Sequence, residues 1–156
     1  MTKRPDLRHV PPYVFRPAQR GVIALPGDNL RSVGVARHAV QDTLGKWHVA
    51  DDMIYRAAYI TDELVANAVE HTRSVSVSVA IVRRADGVVT VAVSDEGHPG
   101  QLSVHQAAPT DEGGRGLAIV AALSRRWTHR RSVLGSCITA EIHPSDDPSE
   151  GIDDSL

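Results

Sequence analysis

Cysteine occurs once, at Cys137, which excludes an internal disulfide and any cysteine-based zinc cluster. Aromatic residues make up only 4% of the 156 positions, so a core has to be built from valine, alanine, leucine and isoleucine. Neither sign of charge prevails: 17 Lys and Arg against 19 Asp and Glu leave a net charge of -2, without the basic excess that phosphate-backbone binding to nucleic acid requires. No apolar run is long enough to cross a membrane. Residues 1–20 carry Pro5, Pro11, Pro12 and Pro17 among basic residues, a pattern that suits neither a signal peptide nor a membrane anchor and makes the cytoplasm the expected compartment.

With 42% hydrophobic residues, the chain is long enough for one domain with a substantial core. Its composition divides it into an extended, basic, proline-rich arm (1–20), a globular domain (21–143) and an acidic tail (144–156) that reads as disordered. Gly21 to Leu25 reads as a short strand closed by the turn Pro26-Gly27-Asp28-Asn29. Leu30, Val33, Ala36, Val40, Leu44 and Trp47 then recur at helical spacing, with Asp28 or Asn29 as N-cap and an end near Gly45 to His48. A second helix is expected from Asp51 or Asp52 to His71, the acidic pair suiting its N-terminal dipole. Val75, Val77, Val79 and Ile81 alternate with small residues as in a half-buried strand. Residues 83–87 make a turn, and Val88 to Val93 returns as an apolar strand in the sheet centre. Residues 101–112 read as a functional loop, Gly113 to Gly116 as a glycine run opening a helix to about Arg126, and Trp127 to His143 as a hairpin turning at Gly135.

The unusual stretch is Thr61 to Thr72. Glu63, Asn67 and His71 follow at i, i+4 and i+8 and share one helix face, while Leu64, Val65, Ala68 and Val69 cover much of the rest. A helix so apolar around its circumference belongs in the interior, where a carboxylate and a carboxamide are costly unless a ligand engages them. A second group, Asp95-x-Gly97 with Gly100, sits at the C-terminal end of the returning strand. A third is Gly114-Arg115-Gly116-Leu117, where glycines at a helix start let an anion approach backbone N–H groups. The dinucleotide fingerprint is excluded because position 119 is Ile, and the phosphate loop ending in Gly-Lys-Ser/Thr is missing. Plainer readings compete: a surface carboxylate for Glu63, a core amide for Asn67, a helix cap for His71, a turn residue for Asp95, a solvated Arg115 and a buried strand thiol for Cys137.

These three groups resemble the N, G1 and G2 boxes of the ATPase superfamily that includes the gyrases and the histidine kinases. The run Asp62 to Thr72 is most similar to the anti-sigma-factor serine/threonine kinases, over roughly residues 22–142. The resemblance implies an α/β two-layer sandwich with a mixed, mainly antiparallel sheet and helices on one face. It implies an ATP and Mg²⁺ site in which Asn67 binds the metal, Glu63 is the general base, and Asp95 accepts from the adenine amino group beside Gly97. Gly114, Arg115, Gly116 and Leu117 would hold phosphates; His71 and Gly100, with Ser136 of the last hairpin, would line the site. It further implies phosphorylation of an antagonist protein, capture of a sigma factor by partner switching, and a homodimer through exposed apolar positions on the first helix. The rival reading is a non-catalytic module that holds ATP or ADP and controls a partner through its lid. Two departures stand out: position 99 is Pro, with the second glycine displaced to Gly100, and the last hairpin carries Gly135-Ser136 where relatives have Gly-Thr.

Overall fold

The computed structural model describes residues 18–96 and 112–144. The elements run β1 (Gln19–Pro26), α1 (Arg31–Lys46), α2 (Asp51–His71), β2 (Ser76–Arg83), β3 (Val89–Asp95), α3 (Glu112–Leu123), β4 (Arg126–Ser132) and β5 (Gly135–Ile142). The strands form one sheet of order β1-β2-β3-β5-β4, and every ladder among them is antiparallel. The expected two-layer α/β architecture is thus present, in a form with no parallel pair among the described strands.

Alternation in the strands decides which face is covered. Val77, Val79 and Ile81 of β2 and Val89, Val91 and Val93 of β3 point inward and are buried, while Ser78, Ala80, Thr90, Ala92 and Ser94 point to the other face. A slip of one residue would turn every valine outward, so the register is fixed by burial. Against the valines lie α2 and its neighbours, with Leu44, Ile60, Leu64 and Val65 almost fully buried. The largest fully buried side chains are all aliphatic except Thr61, as the aromatic scarcity requires; Trp47 and Trp127 pack only at the margin. Val75 continues the inward alternation in sequence yet is 84% exposed, because it lies beyond the last pair of the β1–β2 ladder, Pro26 with Ser76.

The joints are tightly made. The N-cap of α1 is Leu30, already helical and without a side-chain cap bond, rather than the expected Asp28 or Asn29; just ahead of it Asn29 Oδ1 accepts from the Arg31 N–H at 2.9 Å. The Ser32 hydroxyl donates to the Pro26 carbonyl at 2.7 Å, and Gly27 lies so close to the Ser74 backbone that a Cβ there would sit 2.1 Å from its oxygen. Arg37 of α1 pairs with Asp62 of α2 at 3.1 Å. At the end of α2 the Thr72 hydroxyl and N–H both donate to the Ala68 carbonyl, and Arg73 turns the chain away at a φ of 49°.

Two boundaries differ from expectation. Helix α3 begins at Glu112, which places Gly113, Gly114, Arg115 and Gly116 within its first turns. It ends at Leu123 rather than Arg126, because the Arg125 N–H is drawn into the sheet by the Glu141 carbonyl at 2.8 Å. The greater part of the expected arm, loop and tail lies outside the described residues. No described helix is long and apolar enough to cross a membrane.

Candidate functional site

The site grows out of the stripe on α2. Its buried positions, Thr61, Leu64, Val65 and Ala68, anchor the helix to the sheet and so turn Glu63, Asn67 and His71 toward α3. Together with Leu64, Ala66, Glu70, Gly116 and Leu117 these residues line a cleft of about 50 Å³. The N-box and G2-box residues that the sequence separates by more than forty positions therefore share one wall and its opposite.

Glu63 and Asn67 are half-buried, and among the described residues neither side chain has a hydrogen-bond partner. Gly116 sits against the carboxylate: a Cβ built there would come within 2.8 Å of Glu63 Oε2. Helix α3 can therefore approach the acid only because position 116 has no side chain. His71 is 54% exposed, with Nε2 3.9 Å from Glu70 Oε2. It borders the cleft near the end of α2, a position that serves the helix dipole as well as a ligand. Arg115 and Gly114 belong to the first turns of α3, their side-chain surroundings lying outside the described residues.

A second cluster forms where β3 meets β5. Asp95 and Ser136 are direct cross-strand partners; the Ser136 hydroxyl donates to Asp95 Oδ2 at 2.6 Å and the Ser136 N–H to Oδ1 at 3.4 Å. The Ser136 hydroxyl thus holds the carboxylate. Gly135 makes this approach feasible: its φ is 132°, and a Cβ would meet the Asp95 carbonyl oxygen at 2.0 Å. Both Asp95 and Ser136 lie on the face that carries the helices, and α2 packs on β3 and β5, but the cluster and the cleft share no lining residue. Gly97 and Gly100 lie outside the described residues.

The structure adds residues that the box pattern does not contain. Glu70 and Ala66 line the cleft, Glu70 seven positions after Glu63 on α2. His129 on β4 lies near the Asp95 cluster, and its pKa is lowered from the ordinary value by burial first and by the Arg131 guanidinium second, with the Asp95 charge opposing. Cys137, expected to be buried, is half-exposed on the face away from the helices, opposite Ser94 and Arg130.

Among the described residues no three His, Cys, Asp or Glu side chains come together as a metal cage. A half-buried carboxamide oxygen with no partner among the described residues nevertheless suits Mg²⁺, which keeps most of its waters and takes few protein ligands beside substrate phosphates. The volume between the described walls is well below the roughly 300 Å³ of a small ligand pocket.

The chain is thus a two-layer α/β domain in which a carboxylate, a carboxamide and a glycine-bearing helix converge in one cleft. The comparisons agree: the family model of the histidine kinase-like ATPase domain matches residues 28–142, and the chain belongs to that family. Among solved structures it is similar to the RsbU and RsbW domains of a protein from Mycobacterium tuberculosis, with a TM-score of 0.64 and 22% identity. That match covers 80% of this chain and 32% of the other, so this chain spans about a third of that protein's solved length. No curated protein matches.

Proposed function

We propose that the chain is an ATP-dependent serine/threonine kinase of the anti-sigma-factor type. It would phosphorylate an antagonist protein and hold a sigma factor when that antagonist is modified. The observation that carries this reading is the convergence of Glu63, Asn67 and Gly116 in one cleft. A module that only holds nucleotide has no need of a carboxylate beside its metal ligand.

In this reading Asn67 Oδ1 holds Mg²⁺, and the metal offsets the charge of the triphosphate. Glu63 accepts the proton of the incoming serine or threonine hydroxyl, for which it needs an oxygen not committed to another side chain, as it has among the described residues. The N–H groups at the start of α3 supply the positive end of a helix to the phosphates, with Gly114, Arg115 and Gly116 nearest. Asp95, oriented by Ser136, takes the adenine amino group, Gly97 leaves room for the ring, and His98 to Glu112, with Gly100, would be the lid over the nucleotide. The exposed Leu30 and Val35 at α1 are the surface for a second copy.

The test is made in two stages. Calorimetric titration of ATP with Mg²⁺ into the wild type and Asn67→Ala should show binding that needs the metal and is lost in the variant. Transfer of labelled phosphate from ATP to the cognate antagonist should then be abolished in Glu63→Gln, with nucleotide binding retained. Binding without transfer in the wild type would leave a nucleotide-responsive regulator; absence of binding would remove both readings.

A further inference from the structure

Two tryptophans, three tyrosines and one phenylalanine are all the aromatic side chains of the chain. Trp47 and Trp127 pack against the core, whereas Tyr55 and Tyr59 stand side by side on the surface of α2, 59% and 44% exposed. Their ring centroids lie 4.7 Å apart with the planes at 51°, so the rings meet as a tilted pair rather than a closed stack. Contact at i and i+4 adds little to a helix, and the core, short of aromatics, does without both rings.

Rings presented in this way suit proline. A prolyl ring is apolar, and proline-rich segments favour polyproline II, so grooves lined by aromatic side chains take them at little cost in entropy. The chain supplies such a sequence: residues 1–17 include Pro5, Pro11, Pro12 and Pro17, with Arg8-His9-Val10-Pro11-Pro12-Tyr13 at the centre.

The described residues bring this segment to the foot of α2. Strand β1 begins at Gln19, whose Oε1 accepts from Arg83 Nη1 at 3.3 Å, and the same nitrogen donates to the Trp47 carbonyl at 2.8 Å. Two residues on, a Cβ at Gly21 would touch Thr43 at 3.4 Å and Trp47 at 3.9 Å. The start of the first strand therefore lies against the end of α1, and α2 opens shortly after Trp47, at Asp51. Tyr55 and Tyr59 stand about 6 and 12 Å further along that helix at 1.5 Å per residue. From Ala18 back to Pro11, polyproline II at 3.1 Å per residue reaches about 22 Å, enough to round the α1–α2 joint and arrive at the rings. Asp52 and Asp62, to either side of the pair, already hold Arg56 and Arg37, so the contact is one of rings rather than of charge.

We propose that the proline-rich segment 10–13 docks on the Tyr55–Tyr59 pair of its own chain, fastening the arm across the α1–α2 joint. A protein that uses this face of α2 must first displace the segment. The inference stands whether or not the chain binds nucleotide.

The experiment uses NMR on the full chain. Nuclear Overhauser contacts are expected between the Hδ protons of Pro11 or Pro12 and the ring protons of Tyr55 or Tyr59; their absence would overturn the proposal. A nitroxide on Asp6→Cys, with Cys137→Ser to remove the native thiol, should broaden the amides of residues 51–62 selectively. Pro11→Ser with Pro12→Ser should abolish that selectivity, as should Tyr55→Ala with Tyr59→Ala. The broadening should persist at an ionic strength of about 1 M, where charges are screened beyond roughly 3 Å. Loss at that salt would assign the arm to the acidic segment 146–154, which follows the His143 carbonyl held by Arg56 of α2 at 3.3 Å, and would overturn the proposal. Broadening centred on the open sheet face around Val22 would overturn it equally. Should the labelled variants not fold, the proton contacts in the unlabelled chain decide alone.

Discussion

Glycine at position 116 is where a single hydrogen in place of a methyl group decides the geometry of the cleft. Alanine there should favour helix α3, since glycine inside a helix costs about 0.5 to 1 kcal/mol relative to alanine. The new Cβ, however, would displace the Glu63 carboxylate that now lies 2.8 Å from its position. Gly116→Ala should therefore raise the denaturation midpoint slightly while lowering phosphotransfer at least tenfold, a factor equal to about 1.4 kcal/mol of transition-state stabilisation. Thermal melts and a transfer assay on the same preparation check both. Gly135 behaves in the opposite way. At a φ of 132° and in contact with the Asp95 backbone, it admits no side chain, and Gly135→Ala should destabilise the fold by about 3 kcal/mol in urea titration. Of the residues at these sites, the convergence of Glu63, Asn67 and Gly116 was legible from residue type and spacing. Glu70 was not, because a carboxylate near a helix end carries no signal until the helix is seen to face α3.

At the scale of elements, α2 is two helices in one: an anchoring face and a chemical face. Leu64 is 1% exposed in the core, whereas Asn67, one turn on, faces the cleft. Leu64→Ala should cost about 2 to 5 kcal/mol of stability, and Asn67→Ala within about 0.5 kcal/mol of nothing, with metal-dependent nucleotide binding lost in the second; denaturation and calorimetry separate the two effects. Elements with strong periodicity were readable before folding. The span of α2 and the β2–β3 hairpin follow from repeats of helical spacing and of two, and the β4–β5 turn follows from Gly135. The start of α3 was not readable, because glycines at 113, 114 and 116 argue against helix locally. Packing of Leu117 and Val120 into the core overrides that preference. Its end at Leu123 was equally hidden, since it depends on a carbonyl of Glu141 contributed by β5.

Among the described residues, His129 of β4 and Glu141 of β5 have pKa values lowered in the fold. His129 has a pKa lowered in the fold, by burial first, so the folded state resists its protonation. Stability is full above the ordinary value of 6.5 and declines as pH falls from there toward the lowered value. Glu141 has a lowered pKa chiefly through its hydrogen bond from Arg126, so its contribution is present above the ordinary value of 4.5 and is lost as pH falls through the folded value. Denaturation midpoints should thus decline in two stages on acidification, and His129→Gln should flatten the first while leaving the second. The order of the strands is a property of the same scale, and the sequence could not convey it. Neighbours β2 and β3 are joined by a short turn, but β1 finds β2 across about 50 intervening residues, and β3 finds β5 across the whole of α3 and β4. That disparity also sets a timetable. The two hairpins close locally, while the edge strand β1 must wait until α1 and α2 have drawn its partner near, since loop closure is slower the longer the chain to be gathered. Substitutions that weaken the β1 ladder should accordingly hasten unfolding and leave the folding rate nearly untouched, which would make Gln19–Pro26 the last strand to arrive and the first to leave.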